Sequence, residues 1–380
     1  MTPTAPAAAD PIRDHVRLAC LPGVGSRTRR DLLAHFGSPE AILAASAREL
    51  AAVPGVGRRV AKTIPSMADT TAADEVLELC RTRGVGMLLE GNAGYPPLLG
   101  RISDPPSLLF VRGSIEPCDS LAIAIVGSRH ATAYGRRIAW QLAGGLARAG
   151  YTIVSGLARG IDAAAHRGAI KAGGRTIAVL GSGVLNVYPP EHADLAREVI
   201  DSGALISELP PLTDPNVGTF PQRNRVVSGL SLGVVVVQAA DRSGALITAR
   251  LATEQGREVF AVPGPIDCRM SRGCHTLIRD GAKLVASVDD ILEEFGPLFE
   301  TATTADGRAV KSAAELHLGD IERQVLDACD ALAGGAAKPV SIDDLVDSSG
   351  LAASQVLATV GVLEMRRLIR RLPGNQIARA

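Results

Sequence analysis

Short apolar runs alternate with amphipathic segments from Leu121 to about Phe295, and this alternation constrains the fold more than any other feature. The runs LAIAIVG, YTIVSG and RTIAVLGSG have the length and the Val/Ile content of buried strands, and each is followed by a helical pattern. Such a succession predicts a mostly parallel sheet with helices on both faces. Sheets of this kind bind ligands at the carboxyl ends of their strands.

A helical unit is predicted before this region, over residues 11–70. It contains an internal echo, LPGVGSRTRR at 21–30 and VPGVGRRVAK at 53–62, which is typical of a helix-hairpin-helix. The glycines permit tight turns, and the free N–H groups at each following helix can bind a backbone phosphate. The basic side chains expected beside them are Arg27, Arg29, Arg30, Arg58, Arg59 and Lys62. The alternative is a small interaction unit whose hairpins only pack.

Three helical segments and a two-stranded pattern around Pro-Gly-Asn predict a winged helix over residues 320–380. Its presumed recognition helix begins LAASQVLATV and is poor in basic residues, unlike most helices that read a DNA groove. The basic stretch MRRLIRR lies at the end of that helix and in the wing. DNA contact through the wing and a protein-binding or purely structural role both stay open.

The remaining boundaries follow from composition. Residues 1–10 form a loose tail without the basic and apolar regions of a signal peptide, 71–298 form the α/β core, and 299–319 form a polar linker. No apolar run is long enough to span a bilayer, so we expect a cytoplasmic protein with no membrane partner. The six cysteines suggest no disulfide framework, and Cys268, Cys274 and His275 lack the paired spacing of a zinc site, so no metal is expected.

Glycine-rich segments follow three of the predicted strands. IVGSR, VSGLARG and VLGSG can each present backbone N–H groups at a helix N-terminus, and two of them carry an arginine, which binds phosphate in a bidentate manner. A dinucleotide is not expected, because no GxGxxG follows the first strand and no acidic residue lies at the required distance. A GxxxxGK[ST] loop is also absent from the sequence. These segments predict phosphate binding without a cofactor.

FPQRNR, at 220–225, is the most specific short motif. Its arginines can hold successive phosphates while Phe220 offers a face on which a base can stack. The alternative is that the arginines form structural ion pairs. The later segment that opens with Ser243 could add another anion site, or its serine could simply cap a helix.

A nucleophilic triad of Ser155, Asp162 and His166 is conceivable, but the serine lacks the GxSxG elbow. Asp162 and His166 are four residues apart on one predicted helix, so we expect them to hydrogen-bond each other and fix the loop. Formal net charge is zero, with 40 basic and 40 acidic residues. A nucleic-acid role would therefore depend on local basic patches.

Taken together, the motifs of nearly the whole chain resemble the DNA-processing protein A family, DprA, also called Smf. The segments that carry the resemblance are YPPLLGRISDPPSLLFVRG, IVGSRHATAYG, VSGLARGIDAAAHRGAI, TIAVLGSG with VYPPEH, LISELP, FPQRNRVVSGLS, SGALITARLATEQGREVFAVPG and GCHTLIRDGAKLV. The resemblance implies a Rossmann-like, doubly wound core that forms a homodimer. It also implies a recombination mediator, not an enzyme, that binds single-stranded DNA and helps load the RecA recombinase, in many members during natural transformation.

The resemblance places the DNA site on the core. The residues it implicates are Gly127, Ser128, Arg129, Ser155, Gly156, Arg159, Phe220, Arg223, Asn224 and Arg225. It places the dimer face near His275, Ile278 and Leu284. Some relatives carry a lysine three residues before the phenylalanine of FPxRNR. Here that position is Val217, so one phosphate contact is missing and the salt slope of binding is expected to be shallower.

Two other functions remain as alternatives. Some relatives of the fold are nucleotide-processing enzymes, which carry a PGGxGTxxE-type catalytic segment; the corresponding helix here reads SGALITARLATEQG. The other alternative is a regulator that binds duplex DNA through the winged helix, against which its basic-poor recognition helix argues.

Overall fold

The computed structural model of the chain describes residues 11–66, 71–295, 302–303, 309–310, 318–333, 338–365 and 368–379. The predicted tail at 1–10 and most of the predicted linker at 299–319 lie outside these residues. Within the linker the structure describes one short antiparallel pair of strands, β10 (Ala302–Thr303) and β11 (Ala309–Val310). The predicted domain boundaries stay predictions.

A nine-stranded sheet forms the centre of the molecule. Its strands in chain order are β1 (Gly86–Leu89), β2 (Leu108–Gly113), β3 (Ala122–Val126), β4 (Thr152–Ser155), β5 (Thr176–Val179), β6 (Gly203–Ser207), β7 (Gly233–Val236), β8 (Glu258–Ala261) and β9 (Lys283–Leu284). The spatial order is β1-β2-β6-β5-β4-β3-β7-β8-β9. Strands β3 to β9 pair in parallel, whereas β1 and β2 add an antiparallel edge beside β6.

Helices cover both faces of this sheet. They are α6 (Thr71–Arg83), α7 (Ala133–Arg148), α8 (Ile161–Lys171), α9 (Ala193–Asp201), α10 (Thr219–Gly229), α11 (Gly244–Glu254), α12 (Arg272–Arg279) and α13 (Asp289–Phe295). Ile123 and Ile125 of β3 pack in the core cluster that holds α7 and α8. Ala122 and Ala124 pack in the cluster that holds α10 and α11. Successive side chains of the buried strand therefore serve opposite layers, which is why the strand sequence is continuously apolar.

Helices α7 and α8 lie in close contact on one face. A Cβ atom at Gly168 would lie 2.4 Å from the carbonyl oxygen of Trp140, so only glycine permits this approach of the two backbones. Small residues also line the rest of the contact, among them Ala143 and Ala165, which are both fully buried. The close packing leaves the charged side chains of both helices, such as Arg137 and Arg167, on the outer surface.

The N-terminal unit is helical, as predicted. It contains α1 (Pro11–Cys20), α2 (Ser26–Phe36), α3 (Pro39–Ala44), α4 (Ala47–Ala52) and α5 (Arg58–Ser66) around its own apolar core. The two Pro-Gly-Val-Gly segments connect α1 to α2 and α4 to α5.

One of the basic residues expected beside a phosphate in this unit cannot reach one. Arg29 is 4% exposed and donates to the backbone oxygen of Glu208 in the sheet domain, so that expectation was wrong for this residue, which lies on the side of α2 that packs against the core. Arg30 donates to the backbone oxygen of Ser103 but keeps a side chain that is 34% exposed. Arg27, Arg58, Arg59 and Lys62 are exposed.

The C-terminal unit consists of α14 (Asp320–Ala333), β12 (Val340–Ser341), α15 (Ile342–Ser349), α16 (Ala353–Met365), β13 (Ile369–Leu372) and β14 (Gln376–Arg379). Strands β13 and β14 form the predicted wing, with Asn375 in a left-handed conformation at its turn. The predicted winged helix is therefore confirmed, as is the α/β class of the core. No single helix in the described part of the chain is long and apolar enough to cross a membrane; one sharply bent pair, α15 with the first part of α16, meets that test by length and composition only.

A buried ion pair ties β4 and β5 to the segment before β3. The carboxylate of Asp119, which is 7% exposed, accepts from Thr152 Oγ1 at 2.7 Å, from Arg175 Nε and Nη2 at 2.8 Å each, and from the backbone N–H of Glu116 at 2.8 Å. All hydrogen-bonding capacity of the carboxylate is thereby used inside the protein.

Replacement of Asp119 by Ala should lower the free energy of unfolding by about 3–5 kcal/mol, because Arg175, whose side chain is 14% exposed, would keep its charge without its main partner. Urea unfolding followed by the fluorescence of Trp140, the only tryptophan in the sequence, measures this change within the sheet domain. Asp194→Ala is the matched control: it breaks an exposed pair with Arg197 and should cost less than about 0.5 kcal/mol. Equal losses in the two variants would contradict the assignment.

Candidate functional site

The strand order reverses between β3 and β7. The chain runs from β3 through β4 and β5 to β6 on one side, and then returns to place β7 on the other side of β3. In open sheets of this class the crevice beyond the carboxyl ends of the strands at such a point binds ligands. The glycine-rich segments after β3 and β4 both arrive at this edge.

An open groove of about 740 Å³ occupies this position, and we call it the switch-point groove. Its lining includes Gly127, Ser128, Arg129, His130, Gly156, Asp162, Tyr188, Val217, Phe220, Arg223, Asn224, Arg242, Ser243, Gly244, Ile247, Thr248, Arg269 and Met270. Seven of the ten predicted DNA-contacting residues are thus among its walls, and they come from three separate segments of the sequence. The geometry agrees with the expectation that these segments converge.

Asp162 holds the floor of the groove in place. It lies in the first turn of α8 and is 6% exposed, and one of its carboxylate oxygens accepts from the backbone N–H groups of Gly156 and Ala158 at 3.1 and 3.3 Å. Burial raises the pKa of this carboxyl above its usual range, while the neighbouring Arg223 favours the charged form. Asp162 therefore fixes the loop after β4 and supplies a counter-charge beneath the groove.

Arg223 is the deepest cation of the site. Its guanidinium lies against Gly156, where a Cβ atom would come within 1.6 Å of Nη1, so the arginine requires glycine at that position. Nη1 donates to the backbone oxygen of Val179 at 2.8 Å, and Arg223 is only 8% exposed. Burial lowers the pKa of Arg223 to about 10, which leaves it protonated at neutral pH.

An aromatic and a second arginine lie above this floor. The guanidinium carbon of the exposed Arg129 is 5.0 Å from the centroid of the Phe220 ring, a cation–π distance. Tyr188 lies 5.8 Å from the same ring. The groove therefore offers both a positive charge and an aromatic surface at one point.

Three predicted DNA-contacting residues do not line the groove. Ser155 is fully buried and donates its hydroxyl to the backbone oxygen of Ile125, and Arg159, on the loop before α8, forms a half-exposed ion pair with Glu191. Arg225 pairs with Asp104 at 2.8 Å and with Glu208 at 2.7 Å. The ion-pair interpretation of the FPQRNR motif, which the sequence left open, thus describes Arg225, whereas Arg223 faces the groove.

Sequence reasoning missed part of the wall. Arg242 and Arg269 are exposed on it, and no motif marked either of them. Ser243 caps α11 by accepting from the N–H of Ala245 at 3.3 Å, and the N-terminus of that helix also faces the groove. The capping interpretation of this serine segment is therefore confirmed, and the anion site stays a prediction.

The proposed hydrogen bond between Asp162 and His166 was wrong. His166 is fully buried and contacts Thr176 Oγ1 through Nδ1 at 2.7 Å, and that hydroxyl donates to the backbone oxygen of Ile153. Because the hydroxyl has used its proton, it can only accept a hydrogen bond from His166. The ring proton is therefore on Nδ1, and Nε2 is unprotonated. Burial is the largest cause that lowers the pKa of His166, and the positive charge of Arg223 is the second. The pKa falls to about 3, so the ring is neutral.

Because the unfolded chain protonates this histidine below about pH 6.5 and the folded chain only near pH 3, His166 makes the protein less stable as the pH falls through that interval. The expected contribution is a loss of about 1–2 kcal/mol between about pH 6.5 and 5. Urea unfolding of the wild type and of His166→Gln at both pH values isolates it, because all other titrating groups are shared. Parallel losses in the two proteins would contradict a neutral buried ring.

The residues predicted for the dimer face are divided between the interior and the surface. His275 Nε2 lies 2.9 Å from the backbone oxygen of Gly264, Ile278 packs partly against the core, and Leu284 is 46% exposed. Among the described residues, no three His, Cys, Asp or Glu side chains are arranged to hold a metal ion.

The fold and the groove define a Rossmann-like protein with an open, arginine-lined site at its switch point and two appended helical units. A family model described as DNA recombination-mediator protein A matches residues 86–296, a DprA winged helix domain matches 309–375, and a SAM-like helix-hairpin-helix tandem matches 17–65. The chain therefore belongs to the DNA-processing protein A family, DprA/Smf.

Individual relatives agree with this assignment. Protein Smf of Synechocystis is 32% identical over 94% of this chain and 96% of its own length. Protein Smf of Escherichia coli is 50% identical, and that match spans 53% of this chain and about half, 55%, of the relative.

Two solved structures resemble the chain. DNA processing protein A from Streptococcus pneumoniae has a TM-score of 0.64 at 33% identity, covering 74% of this chain and 95% of that one. DNA processing protein A from Helicobacter pylori, a protein that binds single-stranded DNA, has a TM-score of 0.51 at 30% identity, covering 56% of this chain and 95% of that one.

Proposed function

We propose that this protein binds single-stranded DNA in the switch-point groove without sequence preference, and that it helps load RecA recombinase onto the bound strand. The observation that carries the proposal is the pairing of Arg129 with Phe220 above the buried Arg223. The single-stranded DNA binding described for the Helicobacter pylori protein supports it.

The groove suits a phosphate backbone. Arg129 and Arg223 supply positive charge, Arg242 and Arg269 add to it elsewhere in the lining, and the N-terminus of α11 presents backbone N–H groups. Arg159 joins them when a phosphate competes with Glu191 for its guanidinium. Val217, at the position where some relatives carry lysine, contributes only apolar surface to the rim.

The aromatic surface explains the preference for a single strand. A base can stack on Phe220 only when it is not paired, and stacking accepts any base because each has a π face. Backbone charge and stacking do not depend on the identity of the base, so we infer that the site discriminates strandedness and not sequence.

Arg225 serves the site indirectly. Its ion pairs with Asp104 and Glu208 fix α10, the helix that carries Phe220 and Arg223, to the rest of the core. A catalytic role is not part of the proposal, since the Ser155 hydroxyl is engaged with a backbone oxygen and Asp162 holds a loop. Homodimerisation near Leu284 completes the proposal and would present two strands, or two segments of one, to the recombinase.

Arg129→Ala and Arg225→Ala should both weaken binding to oligonucleotides of every sequence, but for different reasons. Arg129→Ala should leave stability unchanged and lower the salt slope of binding by about 0.7, the value for one phosphate on a single strand. Arg225→Ala should in addition lower the free energy of unfolding by about 3–5 kcal/mol. Fluorescence anisotropy across a salt series and urea unfolding measure the two effects. If both variants bind like the wild type, the groove is not the DNA site.

Phe220→Ala should weaken single-strand binding by about 1–3 kcal/mol, the cost of one lost base stack, with the salt slope unchanged. Phe220→Leu is the matched control for volume, because it fills the same space without a π face. The same anisotropy titration, repeated with a duplex of equal length, tests strand preference. Equal affinity of Phe220→Leu and wild type would refute stacking at this ring.

A further inference from the structure

The outer surfaces of α7 and α8 carry positive charge only. Helix α7 contains no acidic residue, and the single carboxylate of α8, Asp162, is buried. The exposed cations of the two helices are Arg136, Arg137, Arg148, Arg167 and Lys171. None of the five forms an ion pair within the described part of the chain. In a protein with no net charge, five unpaired cations on two adjacent helices form a local positive field.

Aromatic side chains lie among these cations. Trp140 is 44% exposed, and Tyr134, at 37%, lies 5.9 Å from the guanidinium of Arg137. Trp140 borders a groove of about 400 Å³ whose other walls are Arg167, Ile170, Lys171 and Glu198. This volume is within the range of small-ligand sites. Glu198 belongs to α9, on one side of this groove, whereas Arg167 and Lys171 belong to α8, on the other side.

The surface begins where the switch-point groove ends. Arg129 and His130 line that groove, and α7 starts three residues after His130. Asp162 lines the same groove, and Arg167 and Lys171 follow it along α8 by about 7.5 and 13.5 Å of helix rise. A stacked strand rises about 3.4 Å per nucleotide, so roughly four nucleotides lead from the groove to Lys171.

We propose that the outer surface of α7 and α8 is a second binding surface for single-stranded DNA, with a base stacked on Trp140 and phosphates held by Arg167 and Lys171. This inference rests on the proposed function of the switch-point groove, of which it is the continuation. Unpaired cations around an exposed indole match the recognition of a flexible strand, which combines backbone charge with a sequence-tolerant stack. An apolar protein partner would not need so many uncompensated cations.

The only tryptophan of the chain makes the surface directly observable. The full-length protein is titrated with oligothymidylates of about 4 and about 16 nucleotides, the limits of ordinary single-strand sites. The short strand should occupy the switch-point groove and leave the Trp140 emission unchanged, whereas the long strand should quench it. The affinity for the long strand should exceed that for the short one by an amount on the order of tenfold.

The double variant Arg167→Gln/Lys171→Gln should lose this gain, and its salt slope with the long strand should fall by about 1.4, which corresponds to two phosphates at about 0.7 each. Arg81→Gln/Arg83→Gln removes the same charge from exposed positions on α6 and should change neither quantity. Short-strand binding should be equal in all three proteins.

The outcomes separate the two proposals. If the short strand binds but the long strand gives neither quenching nor a difference between the two double variants, the α7–α8 surface is refuted and the groove proposal stands. Quenching that persists in Arg167→Gln/Lys171→Gln, or that duplex DNA produces equally well, also refutes it. If neither strand binds, the proposed function fails, and this inference fails with it.

Discussion

The candidate site depends on the interactions of one buried carboxylate, that of Asp162. It accepts two backbone N–H groups of the loop after β4 and lies beside Arg223, so it determines both the shape of the loop and the tolerance of the fold for a deeply placed cation. A charge as buried as Arg223 is costly unless another charge compensates it. With Asp162 in place, Arg223 can stay protonated beneath the groove, and the exposed Arg129, Arg242 and Arg269 add positive charge above it.

The surrounding architecture follows from the same region of the sheet. The reversal of strand order between β3 and β7 creates the crevice, and the glycines after β3 and β4 let the backbone and the arginine approach closely. Positive charge is concentrated in particular regions of the surface. The chain has no net charge, yet the groove and the outer surface of α7 and α8 are rich in cations, which is how a neutral protein can attract a polyanion at one face.

Much of this arrangement could be predicted from the sequence. Continuous Val/Ile runs identified the parallel strands because a strand buried on both faces has no polar alternation, and the Gly/Arg segments after them identified the groove.

The direction in which a side chain points around its helix axis was not predictable from motifs. Arg223 and Arg225 are two residues apart on α10, so one faces the groove while the other reaches Asp104 and Glu208. The same limitation applies to Arg29 on α2, whose burial depends on a neighbouring domain. Arg242 and Arg269 carry no local signature and join the site only through tertiary folding.

Because Arg223 is buried, it loses less side-chain entropy on ligand binding than the exposed arginines do. Its guanidinium is held against Gly156 and the backbone oxygen of Val179, so it has little rotameric freedom left to lose when a ligand arrives. The exposed Arg129, Arg242 and Arg269 must each be ordered, at roughly 0.5–1.5 kcal/mol per side chain. The site thus combines one preorganised contact with an adaptable perimeter. An irregular, thermally fluctuating chain can be anchored at a single rigid point while the perimeter adjusts to whichever local conformation it presents.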